Sequence, residues 1–297
     1  MRIVLFGAGA SHGSGTVAPK PPPLGQGLFD ALQRLYASWR GVPAAEVERF
    51  RANFEEGMAA VIENYGMAVA PLMQDMAVFF SMFSLPEGAN NRYVEMLRSV
   101  SSRQDVLWST LNYECLLEYA ASSLGGKVNY FGEPGVAQDQ IPIWKLHGSC
   151  NFKVTGLEAG RGVSFGTGVV FGGGIQPIDP STVRAHYKGG TALYPAMALF
   201  AAGKPIAMSP APIQEAQRRW KERVLQADRV AVLGVRPNPA DSHVWGPIAD
   251  TPAEVALVCS EVEFAQWRDT SRPSLPSSWL GPTWAQANAE VVGFLGG

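Results

Sequence analysis

Arg2-Ile3-Val4-Leu5-Phe6-Gly7-Ala8-Gly9-Ala10-Ser11 opens the chain, and its reading governs the rest. A short continuous apolar run ends abruptly in glycines. Such a run suits a strand covered on both faces, as in a parallel sheet, and is too short to be told from a buried helix except by its flanks. The same theme returns at Asp105-Val106-Leu107-Trp108-Ser109-Thr110 and at Pro142-Ile143-Trp144-Lys145-Leu146-His147-Gly148. It recurs at Arg229-Val230-Ala231-Val232-Leu233-Gly234 and at Glu254-Val255-Ala256-Leu257-Val258-Cys259. Val128-Asn129-Tyr130-Phe131 reads as one further short strand.

Between these runs the spacing turns helical. Leu28-Phe29, Leu32 and Leu35-Tyr36 fall at helical intervals after a loop, His12 to Gly27, that is rich in Gly, Ser and Pro. From Val42 to Val100 the pattern is helical almost throughout. One stripe runs through Ala44, Ala45, Val47, Phe50, Phe54, Met58 and Ile62, a second through Met67–Leu85, and a third starts at Tyr93. Helices are also expected over Glu114–Ser122, 192–201, 212–227 and Thr283–Leu295, with loops and short strands between Gly156 and Gly190. Buried-type strands alternating with helices give an α/β class fold: a doubly wound (Rossmann-like) parallel sheet with an inserted all-helical subdomain. The expected organisation is a single domain over 1–297 with the helical insertion at 42–100.

Composition narrows the function. Of 297 residues, 46% are hydrophobic, enough for a packed core, and 17% are charged. Lys+Arg is 24 and Asp+Glu is 26, a formal net charge of −2 that argues against direct nucleic-acid binding or anionic lipid as the main partner. Cys115, Cys150 and Cys259 are scattered and odd in number, so neither a disulfide framework nor a four-thiolate zinc site is expected, and the chain reads as cytoplasmic. Met67–Leu85 is interrupted by Pro71, Gln74 and Asp75, which makes it a buried helix and leaves no membrane span.

In open parallel sheets ligands bind beyond the carboxyl ends of the strands, which directs attention to four places: Gly7–Ser11, Thr110–Glu114, His147–Ser149 and Gly234–His243. The Gly7–Ser11 turn lets backbone approach a diphosphate closely, although a ligand-free strand–helix turn uses glycines too. Asn112 offers donor and acceptor for a ribose hydroxyl or a water, but Asn at a strand end also caps helices. Histidine titrates near neutrality and can act as a base, so His147 is a candidate, with Gly148 leaving room beside it; a lone histidine is more often structural. His12 lies in the glycine-rich loop, and His243 follows Asp241 after the strand that ends at Gly234. With no HExxH pattern and no cysteine partner, the histidines give no metal signature, so no metal is expected.

The GAGAS turn, the Thr110-Leu111-Asn112-Tyr113-Glu114 strand end and Leu146-His147-Gly148-Ser149 occur in one order, each after an apolar strand. In this the chain resembles the sirtuin-like superfamily, above all its bacterial branch of NAD-hydrolysing antiphage defence effectors. The resemblance implies that NAD is the substrate, cleaved at the nicotinamide–ribose bond to nicotinamide and ADP-ribose. It implies that Gly7, Ala8, Gly9 and Ser11 line the phosphates and ribose, and that Asn112, with Thr110 in the same motif, orients the ribose or attacking water. His147, beside Gly148, would be the base. Gly234 and Asp241 would border the adenosine half, with Cys259 facing the adenine through its backbone. Free NAD cleavage is toxic, so the resemblance further implies gating by homo-oligomer formation or by an activating protein partner.

The chain also departs from that pattern. Glu114 replaces the usual Asp, the zinc module and the deacetylase loop are missing, and Val235-Arg236-Pro237 lacks the small hydroxyl residue expected after Gly234. Two other readings follow: an NAD or ADP-ribose-binding sensor without turnover, and a protein deacylase or ADP-ribosyltransferase, the latter weakened by the missing zinc module.

Overall fold

A computed structural model describes residues 1–65, 69–137, 139–158, 172–188, 193–198, 208–238 and 241–296. Its first half runs β1 (Arg2–Phe6), α1 (Ala8–His12), α2 (Gly25–Leu35), α3 (Ala37–Arg40), α4 (Ala44–Ala52), α5 (Phe54–Tyr65), α6 (Val69–Phe80), α7 (Arg92–Ser99), β2 (Val106–Thr110) and α8 (Leu116–Ser123). There follow β3 (Lys127–Tyr130), β4 (Gln140–Lys145), β5 (Phe152–Glu158), β6 (Gly172–Pro177), α9 (Val183–Lys188), α10 (Pro210–Leu225), β7 (Arg229–Leu233), α11 (Ser242–Asp250), β8 (Glu254–Val258), α12 (Glu261–Ser271), β9 (Ser277–Gly281) and α13 (Trp284–Leu295).

Seven strands form one sheet in the order β3-β4-β2-β1-β7-β8-β9, and every neighbouring pair is parallel. β5 and β6 make a separate antiparallel pair. The chain builds outward from β1 in one direction through β2 and β4, then returns to β1's other side with β7. The topological switch therefore lies between β1 and β7, where an open sheet leaves its crevice.

The strands are apolar because both their faces are covered. Along β1, Val4 and Phe6 enter one core while Ile3 and Leu5 enter the other; Leu233 and Val232 divide β7 in the same way. The second face is closed by α10, α11 and α12 through Trp220, Trp245 and Trp267. The first face is closed by α7, α8 and α13 and runs on into the helices α2 to α6. The helical block thus shares its core with the sheet: Phe80 meets Tyr113 at 5.5 Å between ring centres, and Tyr93 meets Phe6 at 4.9 Å.

The doubly wound sheet and the helices α4 to α7 agree with the sequence reading. Several elements differ. The GAGAS segment, read from the sequence as a turn, forms a short helix from Ala8, and the strand expected to reach Gly148 stops at Lys145. The helix expected over 192–201 is not formed at 193–198, where Met197 instead bridges Gly148; the flanking positions lie outside the described residues. Pro195 removes an amide there, and small and large apolar residues in alternation fit an extended buried segment. Met67 also falls outside the described residues. Helices α11 and α12 and strand β9 were not anticipated: α11 contains Gly246 and Pro247, and β9 is the short edge strand Ser-Ser-Trp-Leu-Gly. No helix among the described residues is long and apolar enough to cross a membrane.

Candidate functional site

The carboxyl ends of β1, β2 and β4 are laced together. Leu111 N donates to the Phe6 carbonyl at 2.9 Å, and Leu146 N donates to that of Thr110 at 3.1 Å. Asn112 Nδ2 donates to Gly7 O at 3.0 Å and to Ser11 Oγ at 2.9 Å, while its own backbone amide is held by Thr110 Oγ1 at 3.0 Å. The three segments singled out from the sequence therefore meet along one rim.

Their polar atoms are largely turned on one another. Ser11 Oγ donates to Glu114 Oε1 at 2.5 Å and lies 2.8 Å from the Tyr93 hydroxyl; both Ser11 and Tyr93 are buried. Glu114 Oε2 takes the Leu116 amide at 2.6 Å, capping α8. Burial pushes the Glu114 carboxyl up, with Lys145 and the Ser11 and Leu116 hydrogen bonds pulling back. Burial, then the Glu114 charge, holds the Tyr93 phenol well above its ordinary range.

Beneath this rim sits Lys145, wholly buried, its Nζ 3.0 Å from Glu118 Oε1 and donating to the Glu114 carbonyl at 2.5 Å. Burial alone would lower it, but Glu118 and its other neighbours raise it above the ordinary lysine value. A buried ammonium needs such a partner, since breaking a buried pair costs about 3–5 kcal/mol. Cys115 and Cys150, remote in sequence, come within 3.9 Å as free thiols.

The glycines of the first turn serve close packing against β7. Gly7 N donates to Leu233 O at 2.9 Å and Gly9 N to Gly234 O at 3.0 Å. Gly234 has φ +64°, and a Cβ there would stand 2.0 Å from Ala10 N; one on Gly7 would stand 2.6 Å from Gly234 O. Ala8 remains exposed on this turn, and His12 Nδ1 pairs with the Pro22 carbonyl at 2.8 Å.

His147 follows the β4 end. Its carbonyl accepts from Ala198 N at 2.8 Å, and the next residue, Gly148, turns at φ +75°. His147 Nε2 lies 2.9 Å from His243 Nε2, and one ligand atom from each of His147, Asp241 and His243 falls within 4.8 Å of the others. The sequence marked His147, Asp241 and His243 separately and read no metal pattern; the fold brings the three together. His147 and Asp241 are buried, whereas His243 is half-buried and opens on a groove of about 400 Å³ between α10 and α11, with Gln217, Lys221 and Asp250. A neighbouring groove of about 380 Å³ runs between α11 and α12, lined by Asn238, Trp245, Glu263 and Trp267.

Arg236, which stands in place of the expected small hydroxyl residue, is exposed and pairs with Glu263 at 3.0 Å. The Cys259 carbonyl accepts from Trp279 Nε1 at 2.8 Å. The network through Tyr93, Glu118 and Lys145 was not anticipated; a lone Lys inside an apolar strand was its only sequence signal.

No protein-family model matches the chain, and no curated protein matches it in sequence. Among solved structures, two mutants of a Sir2 homologue in complex with ADP-ribose align over 98% of this chain and 88% of theirs, at 14% identity and a TM-score of 0.39. A third mutant complex of a Sir2 homologue aligns with the same coverage at 15% identity and a TM-score of 0.37.

Proposed function

We propose that the chain is an NAD glycohydrolase, releasing nicotinamide and ADP-ribose, and that it works as a regulated defence effector in the cytoplasm. The observation that supports this reading is the lacing of three remote segments, Gly7–Ser11, Thr110–Asn112 and Leu146–His147, along adjacent strand ends beside the β1/β7 switch point. A dinucleotide laid across that rim passes the exposed Ala8, with Gly234 and Asp241 toward its adenosine half.

The chemistry asks little of the protein beyond position. As the glycosidic C–N bond breaks, its electron pair passes to the nicotinamide nitrogen and neutralises the ring, so no strong general acid is needed. Water adds to the oxocarbenium-like ribose carbon and loses a proton. In this reading His147 takes the proton, and His243, 2.9 Å away, gives it a second imidazole to pass to. Both Asn112 Nδ2 hydrogens hold the first turn, so Asn112 addresses ribose or water through Oδ1.

Incubation with NAD, with products identified by mass, tests the proposal. Asn112→Ala and His147→Ala should each slow nicotinamide release by about 100-fold or more, the usual scale of one acid–base contribution. Parental rates in both variants sink it. The His147–His243 contact favours a second reading, in which the occupied imidazole makes the site a sensor. Stabilisation by ADP-ribose without nicotinamide release, with candidate activators present, would select that one.

A further inference from the structure

We propose that His147, Asp241 and His243 form a three-ligand site for a borderline divalent cation of the Zn2+ type. The donor set is right for such an ion: two imidazole nitrogens and one carboxylate, with their ligand atoms all within 4.8 Å of one another. Zinc–nitrogen bonds of about 2.0–2.1 Å at a tetrahedral angle place two nitrogens about 3.3 Å apart. The Nε2 atoms of His147 and His243 stand at 2.9 Å, so the two imidazoles part by a few tenths of an ångström to admit an ion while the Asp241 carboxylate, within 4.8 Å, closes on it.

At 2.9 Å one nitrogen donates its hydrogen to the other. An ion takes the place of that hydrogen, which moves to Nδ1 of its own ring, and both Nε2 lone pairs then point at the metal. No proton need leave neutral imidazoles, and the carboxylate brings the site to net single positive charge. Three protein ligands leave a fourth position for water, the arrangement of open rather than structural zinc sites.

The ligands are held in place by backbone that is already bonded. Asp241 and His243 are fixed at the start of α11, where the Asp241 carbonyl accepts from Val244 N at 2.8 Å and from Trp245 N at 2.9 Å. His147 is fixed between Leu146, whose carbonyl accepts from Gln217 Nε2 at 2.7 Å, and Gly148. Ligands on pre-set backbone bind with less ordering cost than ligands gathered from mobile loops. The groove on which His243 opens gives the ion a way in.

The consequence for catalysis rests on the function proposed above. A cation on His147 Nε2 occupies the nitrogen through which the hydrolytic reading hands the proton on to His243, so the filled site is the resting enzyme.

The test uses the full chain, freed of metal with a chelator and then titrated with Zn2+ by calorimetry and with Co2+ by visible absorption. One ion per chain and the intense Co2+ bands of four- or five-coordination are expected. His243→Gln and Asp241→Asn should each weaken binding by at least about tenfold, and His186→Gln should not change it. Circular dichroism shows whether each variant is folded; for one that is not, the parent Co2+ spectrum decides by itself. Absence of stoichiometric binding, a spectrum like that of the hydrated ion, or unchanged binding in folded His243→Gln and Asp241→Asn overturns the site. In the same samples, nicotinamide release should stop with Zn2+ and return with chelator. Undiminished release with the site filled overturns its resting role, whereas a chain that binds the ion and never releases nicotinamide overturns the hydrolase and leaves the site standing.

Discussion

Gly148 owes its identity to the backbone packed against it. Beside His147 it looks like space for a substrate, but the space is taken by protein: a Cβ there would lie 2.0 Å from the Ala196 carbonyl oxygen, on a backbone held at φ +75°. That carbonyl accepts from Ser149 N at 3.2 Å, and Ala196's own amide donates to Phe152 O at 3.0 Å, so the segment cannot retreat freely. Gly148→Ala should therefore cost roughly 2–4 kcal/mol, the sum of left-handed strain and a backbone clash. Gly125, at φ +77° with open space around it, is the control; its alanine variant should cost about 1–2 kcal/mol from strain alone. Urea midpoints compare the two, and equal losses would remove the packing role assigned to Gly148. The same holds for Gly7, Gly9 and Gly234, whose positions at strand ends were readable while their packing against one another was not. The pairing of His147 with His243 crosses 96 residues of chain. No local spacing can encode such a contact; only the strand order creates it.

Among the elements, the legible ones were those whose physics is local. A strand covered on both faces must be apolar throughout, which is why β1, β2, β4, β7 and β8 stood out, and the helices of 44–99 announced themselves by periodicity. The edge strand β9 and the helix α11 carry no comparable signal, because their stability comes from what they pack against: Trp279 is held by the Cys259 carbonyl, and Trp245 by the core under α11. Edge strand β3 is likewise anchored from outside. The loop after it places Glu133 between Arg219 and Arg223 of α10, with Arg223 Nε donating at 3.0 Å. Partial burial would raise the Glu133 carboxyl, but the two guanidiniums outweigh it and hold it below its ordinary value. A depressed folded pKa means the pair stabilises above the unfolded carboxylate pKa and fades as acid titrates the folded group. Glu133→Gln should thus lower stability by about 0.5–1 kcal/mol at pH 7, given the partial exposure of all three side chains. The difference from the parent should shrink toward zero near pH 3. A loss that is the same at both values would show that the charge is not what anchors the loop.

At the scale of the whole molecule, the question is whether the helices of 44–99 are an appendage or part of one unit. Their residues Phe50, Met58, Met73 and Phe79 belong to the same buried cluster as Phe6 and Trp108 of the sheet and Trp284 of α13. The rings make the continuity concrete: Tyr93 stacks edge-on against both Phe6 and Trp284 at 4.9 Å, and Phe6 meets Trp284 at 5.4 Å. Ser11 and Glu114 of the candidate site hang on the same Tyr93, by a hydrogen bond from the one and through the charge of the other. Loosening the block should therefore be felt at the sheet. Phe50, buried against Phe29 at 4.8 Å, Phe54 at 5.4 Å and Trp39 at 5.6 Å, is a probe inside the block. Phe50→Ala removes an aromatic core side chain and should cost about 3–5 kcal/mol. Because the core is continuous, that loss should displace one transition as a whole, with far-UV circular dichroism and tryptophan fluorescence superimposing, and lower amide-exchange protection in β1 and β2 together with α4 to α6. If the block instead melted first while β1, β2 and β7 kept parental protection, the helices would be an independent subdomain, and any link between them and the rim at Asn112 would have to be sought elsewhere.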